Sequence, residues 1–445
     1  MDLHDYVDKL KKQAVAIVEK AKKAGVDDVF VSASYANTTK IGYEKKDFNV
    51  ASTHEGTGFS ITIHKNKKSG AASINTLEES KIDKAISDAM QMAECTIEDP
   101  YLDLAPANDY KELEAQYSDG IADITMRDMR IKAESMLAPL LENEKICIDG
   151  ASIDKTLGAR VIANSRGMIA DDYSSALSWN LMGMATDGTE ITSFDYISDF
   201  SYDPNEIDNK IKSTVIKFRT KLLSCLGAKK CESFQGKLLL SPSLVEELIV
   251  DPMMYHIRGS NIMDGKSRWE NDLGKKICHE NIHIEDHPYD RSLRGCTAFS
   301  GEGVPTSEMT IIESGKLNKH LDSVYSAKKR GVKPTGNGSG PHCLWVAPGK
   351  QNLFDMLDDQ SETFLEPGRF SGNIDGITGD FSGIAKGSHL FQNGKKTGPV
   401  KEVMISGNIF EMIQKDVIFS KNQESDGGFF WVPWAIVDGI SVISA

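Results

Sequence analysis

His279, Glu280 and His283, within "ICHENIHIED" (277–286), spell a literal H-E-x-x-H. On a helix this spacing places two imidazoles on one face to grip zinc, and aims the glutamate at a zinc-bound water, as in a metalloprotease. The chemistry therefore depends on the backbone. Residues four apart rise only about 6 Å along a helix. In a strand they share a face but lie about 13 Å apart. Two Zn–N bonds of about 2.1 Å each cannot bridge that gap.

The local pattern predicts a strand. Ile277, Cys278, Ile282 and Ile284 favour extended backbone, and Ile282 and Ile284 alternate with His283 and Glu285. His287 precedes Pro288, which also keeps it extended. No capping signal opens a helix between Gly274 and Pro288. A strand would turn Glu280 away from both histidines. The expectation is an exposed strand face, with no catalytic, cofactor-binding or metal residue assigned and no cofactor. His279, Glu280 and His283 remain the runner-up metal set.

Other reactive side chains are dispersed. His54-Glu55 beside Gly56 reads as a polar turn between strands. Glu366, Asp375 and Asp380 lie near glycines, where carboxylates line clefts or, more commonly, accept from turn amides. His256, His320, His342 and His389 fall in separate segments. There is no G-x-x-x-x-G-K-[ST] and no G-x-S-x-G, and "TGNGSG" (335–340) reads as a turn.

Positioning these residues takes more than one core. The chain has 445 residues, 40% hydrophobic and 26% charged, which fits two ordinary globular domains. Its net charge of -14 argues against nucleic acid or an anionic membrane as partner. Lys65, Lys67 and Lys68 form only a short basic run, read as a turn. "MDLHDYVDKLKKQ" lacks the apolar stretch of a secretory signal, and no apolar run is long enough to span a bilayer. "FFWVPWAIV" suits a buried strand. Seven scattered cysteines without C-x-x-C fit reduced thiols and a cytoplasmic location.

Helical periodicity predicts helices over 6–24, 76–95, 124–142 and 203–226. β-rich pieces predict strands near 29–35, 39–48, 57–64 and 69–74, with "KNKKSG" as a hairpin turn, and near 145–154, 157–164, 168–184 and 190–196. "EDPYLDLAPANDY" (98–110) reads as a linker. After "GAKKCESFQG" (227–236) glycine becomes denser and helices are expected only at 242–257, 353–358 and 408–415. The fold class is α+β. An N-terminal domain, 1–230, joins helices to a mostly antiparallel sheet, and a C-terminal domain, 231–445, is β-rich, barrel-like or sandwich-like.

"FSGEGVPTSEMTIIESGKLNKHLDSVYSAKKRGVKPTGNG" (299–338) and "GITGDFSGIAKGSHLFQNGKKTGPVKEVMISGNIFEMI" (376–413) resemble the TldD/PmbA family, once called modulators of DNA gyrase. "GTGFSITIHKNKKSGAAS" (56–73) and "DPYLDL" (99–104) extend the resemblance to the N-terminal half. The resemblance implies two branches that pair. TldD-type members carry H-E-x-x-x-H on a helix after the first C-terminal strand and supply zinc. PmbA- or TldE-type members lack it, and the pair processes unfolded peptides.

In this chain the matching stretch is "KLLLSPSLVEELIVDPMMYHIRG" (237–259). The implied His and Glu fall near Val250 and Asp251, and the second His near Tyr255, beside His256. Pro252 is expected to interrupt the helix. The resemblance thus implies a PmbA/TldE-type subunit, inactive alone, pairing with a TldD-type zinc peptidase or forming a homodimer when alone. The alternatives are an autonomous metallopeptidase and a protein-binding regulator of gyrase or of a toxin–antitoxin pair.

Overall fold

The computed structural model describes residues 3–76, 78–338, 340–425 and 427–444. Leu77, in the first turn of the helix expected over 76–95, and Ser339, inside the turn expected over 335–340, lie outside the described residues. The first sheet is six-stranded. Its order is Lys68–Ile74, Asp47–Lys65, Asp28–Glu44, Ile146–Asn164, Ile169–Ala185 and Asp195–Ser201, with every neighbour antiparallel. Asn66 and Lys67 take φ of 51° and 60°, the left-handed turn that a twisted hairpin needs, as "KNKKSG" predicts.

The strands are longer than their sequence pattern suggests. The expected break at 36–38 is absent, and 49–56 is strand, so His54 and Glu55 sit within Asp47–Lys65 rather than at a turn. Asp28–Glu44 lies between two partners. Ladder hydrogen bonds on both edges hold Ala36-Asn37-Thr38 extended despite weak local preference. The same pairing closes the expected break at 154–157, and the last strand is Asp195–Ser201 rather than 190–196.

One face of this sheet buries alternate residues such as Val29, Val31, Ala33 and Ile41. Leu3–Lys23 and Glu79–Glu94 pack at one end of that face, and Met126–Leu141 and Ile207–Ser224 at the other. Each helix falls within a few residues of its expected span. Thr125 and Asp128 close a capping box at the start of the third helix. Trp179 is buried beneath the second pair, and its Nε1 donates to Thr214 Oγ1 at 3.0 Å.

The second half is organised by one strand, Phe430–Ser444. On one edge it pairs with Leu344–Val346, in parallel, and with Phe234–Leu240. On the other it pairs with Ile418–Glu424 and Val403–Asn408. The resulting sheet of 13 strands runs open from Lys316–Leu317 to Lys395–Val400, with branches, so among the described residues there is no closed barrel. The barrel-like alternative fails because the sheet branches at this shared strand instead of closing on itself. The mixed α+β architecture stands. Val324–Arg330, not anticipated, is a helix capped by the Ser323 hydroxyl and ended by Gly331 at φ 70°.

Helical backbone runs from Pro242 to Ile257 without stopping at Pro252. Glu246–Val250 forms a π turn, and the Asp251 N–H reaches Glu246 O. The wider turn absorbs the proline, which lacks the usual donor and crowds the preceding turn. The two halves are tied together by the 98–118 segment and neighbouring contacts. Gln116 Nε2 donates to Arg291 O and Leu293 O, both at 2.8 Å, Tyr110 Oη donates to Gly303 O at 2.8 Å, and Tyr325 Oη donates to Asp99 Oδ2 at 2.7 Å. No helix among the described residues is long and apolar enough to cross a membrane.

Two predictions follow from this packing. A Cβ on Gly70 would lie 2.1 Å from Ala89 O and 2.4 Å from Ala93 N. Gly70→Ala therefore pushes helix Glu79–Glu94 off the sheet and costs about 1–3 kcal/mol or more in chemical denaturation. The second concerns His256, which is fully buried among Tyr255, Trp269 and Phe410. Burial, aided by the nearby Arg268 cation, pushes its pKa down to about 4 from 6.5. The unfolded chain takes up this proton first, so the stability is complete above pH 6.5 and is lost as pH falls toward 4. The loss is roughly 3 kcal/mol. His256→Gln flattens this part of the stability–pH curve. The slope left behind comes in part from His64, His320 and His389, whose pKa values burial also lowers.

Candidate functional site

The H-E-x-x-H stretch is not helical. Residues 279–282 form a turn, with Ile282 N–H on His279 O at 3.0 Å, and strand begins only at Ile284. The expected strand over the motif is thus shorter, because the turn docks on the 413–417 segment: His279 N–H reaches Ile413 O at 2.7 Å and Asn281 Nδ2 reaches Val417 O at 3.0 Å. His279 Nδ1 accepts from the Asn281 amide, and its Nε2 faces Asp416 at 3.7 Å. Glu280 is exposed, with Lys276 at 3.9 Å. His279, Glu280 and His283 do not converge.

The convergence lies two residues along. His283, Glu285 and His287 alternate onto one strand face. His283 Nε2 meets Glu285 Oε1 at 3.0 Å, His287 Nε2 meets Glu285 Oε2 at 2.8 Å, and Thr310 Oγ1 donates to Oε1 at 3.1 Å. These bonds to the charged form outweigh desolvation and hold the Glu285 pKa below its ordinary value. Trp345 lies edge-on to both imidazoles, with centroids 6.3 and 5.8 Å away.

Glu285, His287 and Trp345 line a cleft of about 740 Å³ that also takes in Tyr289, Asp290, Glu308 and Trp431. Trp431 Nε1 donates to Asp290 Oδ2 at 3.0 Å. Cys343 borders the cleft, but burial raises its pKa, so it stays a thiol. A second cleft of about 660 Å³ lies between the halves, at Tyr110, Arg160, Arg294 and Phe299. Arg160 pairs with Asp172 at 2.7 Å, and burial lifts the Cys296 pKa to about 11. Neither cleft presents an activated nucleophile. The first can hold polar or charged groups against aromatic walls.

The helix position implied for zinc has different chemistry. Val250 is buried and offers no donor. His256 Nδ1 accepts the Arg268 amide at 3.1 Å, and its ring is enclosed by aromatic side chains. Among the described residues no group of three or more His, Cys, Asp or Glu could hold a metal ion.

Among the remaining sequence candidates Glu366 and His389 meet, with Glu366 Oε2 3.7 Å from His389 Nδ1. His320 Nε2 meets Trp269 O, His342 Nε2 meets Gly336 O and His389 Nε2 meets Ser224 O, at 3.1, 2.9 and 2.9 Å. Asp375 accepts the Ile377 and Thr378 amides, Asp380 accepts from Asn408, and Glu366 pairs with Lys396 at 2.7 Å. Glu55 accepts from the Tyr35 hydroxyl at 3.1 Å. Trp345, Trp431 and Asp290 were not singled out by sequence reasoning. The available signal was the i, i+2, i+4 spacing of His283, Glu285 and His287.

Comparison with known proteins agrees with this architecture. Residues 234–444 match the PmbA/TldA metallopeptidase C-terminal domain, and residues 29–93 match PmbA/TldA metallopeptidase domain 1. The chain is 27% identical over 415 residues to a metalloprotease PmbA homolog of Haemophilus influenzae, covering 91% of this chain and 89% of that one. It is 25% identical over 374 residues to metalloprotease PmbA of Escherichia coli O157:H7, covering 82% and 81%. The crystal structure of TldE from Thermococcus kodakarensis superposes with a TM-score of 0.85 at 20% identity, covering 97% of this chain and 100% of that one. With both terminal family domains matched in order and the fold shared along nearly its whole length, the chain belongs to the TldD/PmbA family.

Proposed function

We propose that this chain is a PmbA/TldE-like subunit without zinc, which assembles with a TldD-type zinc peptidase and helps enclose unfolded peptide for proteolysis in the cytoplasm. The observation that carries the proposal is the helix at 242–257. It follows strand Phe234–Leu240 where the family's zinc helix is expected, yet presents Val250 and Tyr255 in place of imidazoles. A catalytic zinc wants three protein donors with water as the fourth ligand, and among the described residues Glu247, Asp251 and His256 of this stretch form no such group. The likeness to TldE and PmbA proteins supports the same branch.

We place the domain boundary at 230/231, just before that strand. Open sheet edges at Lys68–Ile74 and Asp195–Ser201 offer unpaired backbone groups to an extended chain, the usual route for sequence-tolerant peptide capture. A homodimer is the form expected when the partner is missing.

Co-expression with a TldD-type subunit, followed by size-exclusion chromatography and a peptidase assay on an unfolded peptide, tests the assignment. The expected result is a stable mixed complex that cleaves the peptide, while the chain alone is at least a hundredfold slower. Equal cleavage by the isolated chain, or no mixed complex, would overturn the assignment.

A further inference from the structure

Four neighbouring strands bring one residue each into a single row across the sheet. Thr310 stands opposite Glu285, Glu285 opposite Trp345, and Trp345 opposite Trp431. The alternate residues on these strands, Ile284, Leu344, Val346 and Val432, are buried in the core. The row therefore points outward, into the 740 Å³ cleft. Two indoles on adjacent parallel strands, about 4.8 Å apart, make an aromatic wall, and Glu285 lies next to it in the row.

Apart from His287, the charged side chains that line the cleft are acidic. Glu285, Asp290 and Glu308 line it, and no lysine or arginine does. Glu285 is held ionised by its histidine and threonine donors. Asp290 accepts from the Trp431 Nε1–H at 3.0 Å and from the Ser292 amide at 2.9 Å. Glu308 is exposed and makes no hydrogen bond or ion pair with the described residues, so its carboxylate is free at the rim. The aromatic border already carries one cation. Lys111 Nζ sits 3.7 Å from the centroid of the Tyr289 ring. Aromatic faces beside carboxylates attract ammonium and guanidinium groups through the ring quadrupole and through charge. A sugar would need several unengaged donors and acceptors. Here both Glu285 oxygens are already bonded, and Gln423 Nε2 is spent on Val346 O at 2.7 Å.

We infer that this cleft is a subsite for the side chain of a lysine or arginine in an extended peptide. The inference rests on the peptide-handling role proposed above and adds to it a preference for basic residues. The long methylene stem of such a side chain lies along Trp345 and Trp431, and its charged end meets Glu308, with the Glu285 charge close by.

The test uses the full chain and four acetylated, amidated peptides that differ only at one central residue: Lys, Arg, norleucine or Glu. Binding is read by calorimetry and by tryptophan fluorescence. The expected result is that the Lys and Arg peptides bind about tenfold or more tighter than the norleucine and Glu peptides, and that added salt weakens this preference. Glu308→Gln, at an exposed residue, reduces the preference severalfold while leaving the melting temperature unchanged. Trp431→Phe, which also gives up the Nε1 donation to Asp290, reduces the preference severalfold. Equal binding of the norleucine peptide, no saturable binding of any peptide, or full retention of preference in both variants would overturn the inference. Assembly with a TldD-type subunit is scored separately. A preference without assembly refutes the subunit role alone, and assembly without a preference refutes the subsite alone.

Discussion

The C-terminal half depends on the pairing of strand Phe430–Ser444 along both edges. Its first residues bind Leu344–Val346 in parallel, its middle binds Phe234–Leu240 and its end binds Val403–Asn408. A strand held on both edges and covered by core has little freedom, so each element in register with it is fixed as well. Trp431 is set beside Trp345 by this register, and Glu285 follows one strand further on. Phe234–Leu240 is set by it too, and that strand aims the helix at 242–257. The aromatic cleft and the helix at 242–257 are thus two outputs of one ladder.

The helix at 242–257 packs most of its side chains as core. The π turn over Glu246–Val250 widens the helix ahead of Pro252, and Val250 and His256 are packed as core. His256 lies where desolvation favours the neutral ring, and its Nδ1 is already bonded to a backbone amide. A packed imidazole of this kind contributes shape and hydrogen bonding to the interior. In the proposed role the zinc chemistry belongs to the partner, and this chain contributes walls and strand edges to the enclosure.

Much of the fold was legible because it is locally encoded. Four helices show in their apolar spacing, and Asn66-Lys67 marks a hairpin that the structure forms. The long strands were less legible, since Ala36-Asn37-Thr38 and Gly56 are weak strand formers held extended by neighbours more than a dozen residues away. The π turn was invisible because Pro252 normally signals a stop. At the site, the non-helical character of 279–283 could be read from alternating isoleucines, but the turn there is imposed by the distant 413–417 segment. Glu285, Trp345 and Trp431 are far apart in the chain, and only strand register brings them together.

The account's central physical claim is that this polypeptide, by itself, has no donor set for zinc. The most direct measurement is the metal content of untagged protein purified from zinc-replete cells and dialysed against metal-free buffer. The account predicts zinc far below one atom per chain, with no change in His283→Ala. One tightly held zinc per chain, lost in His283→Ala, would contradict it.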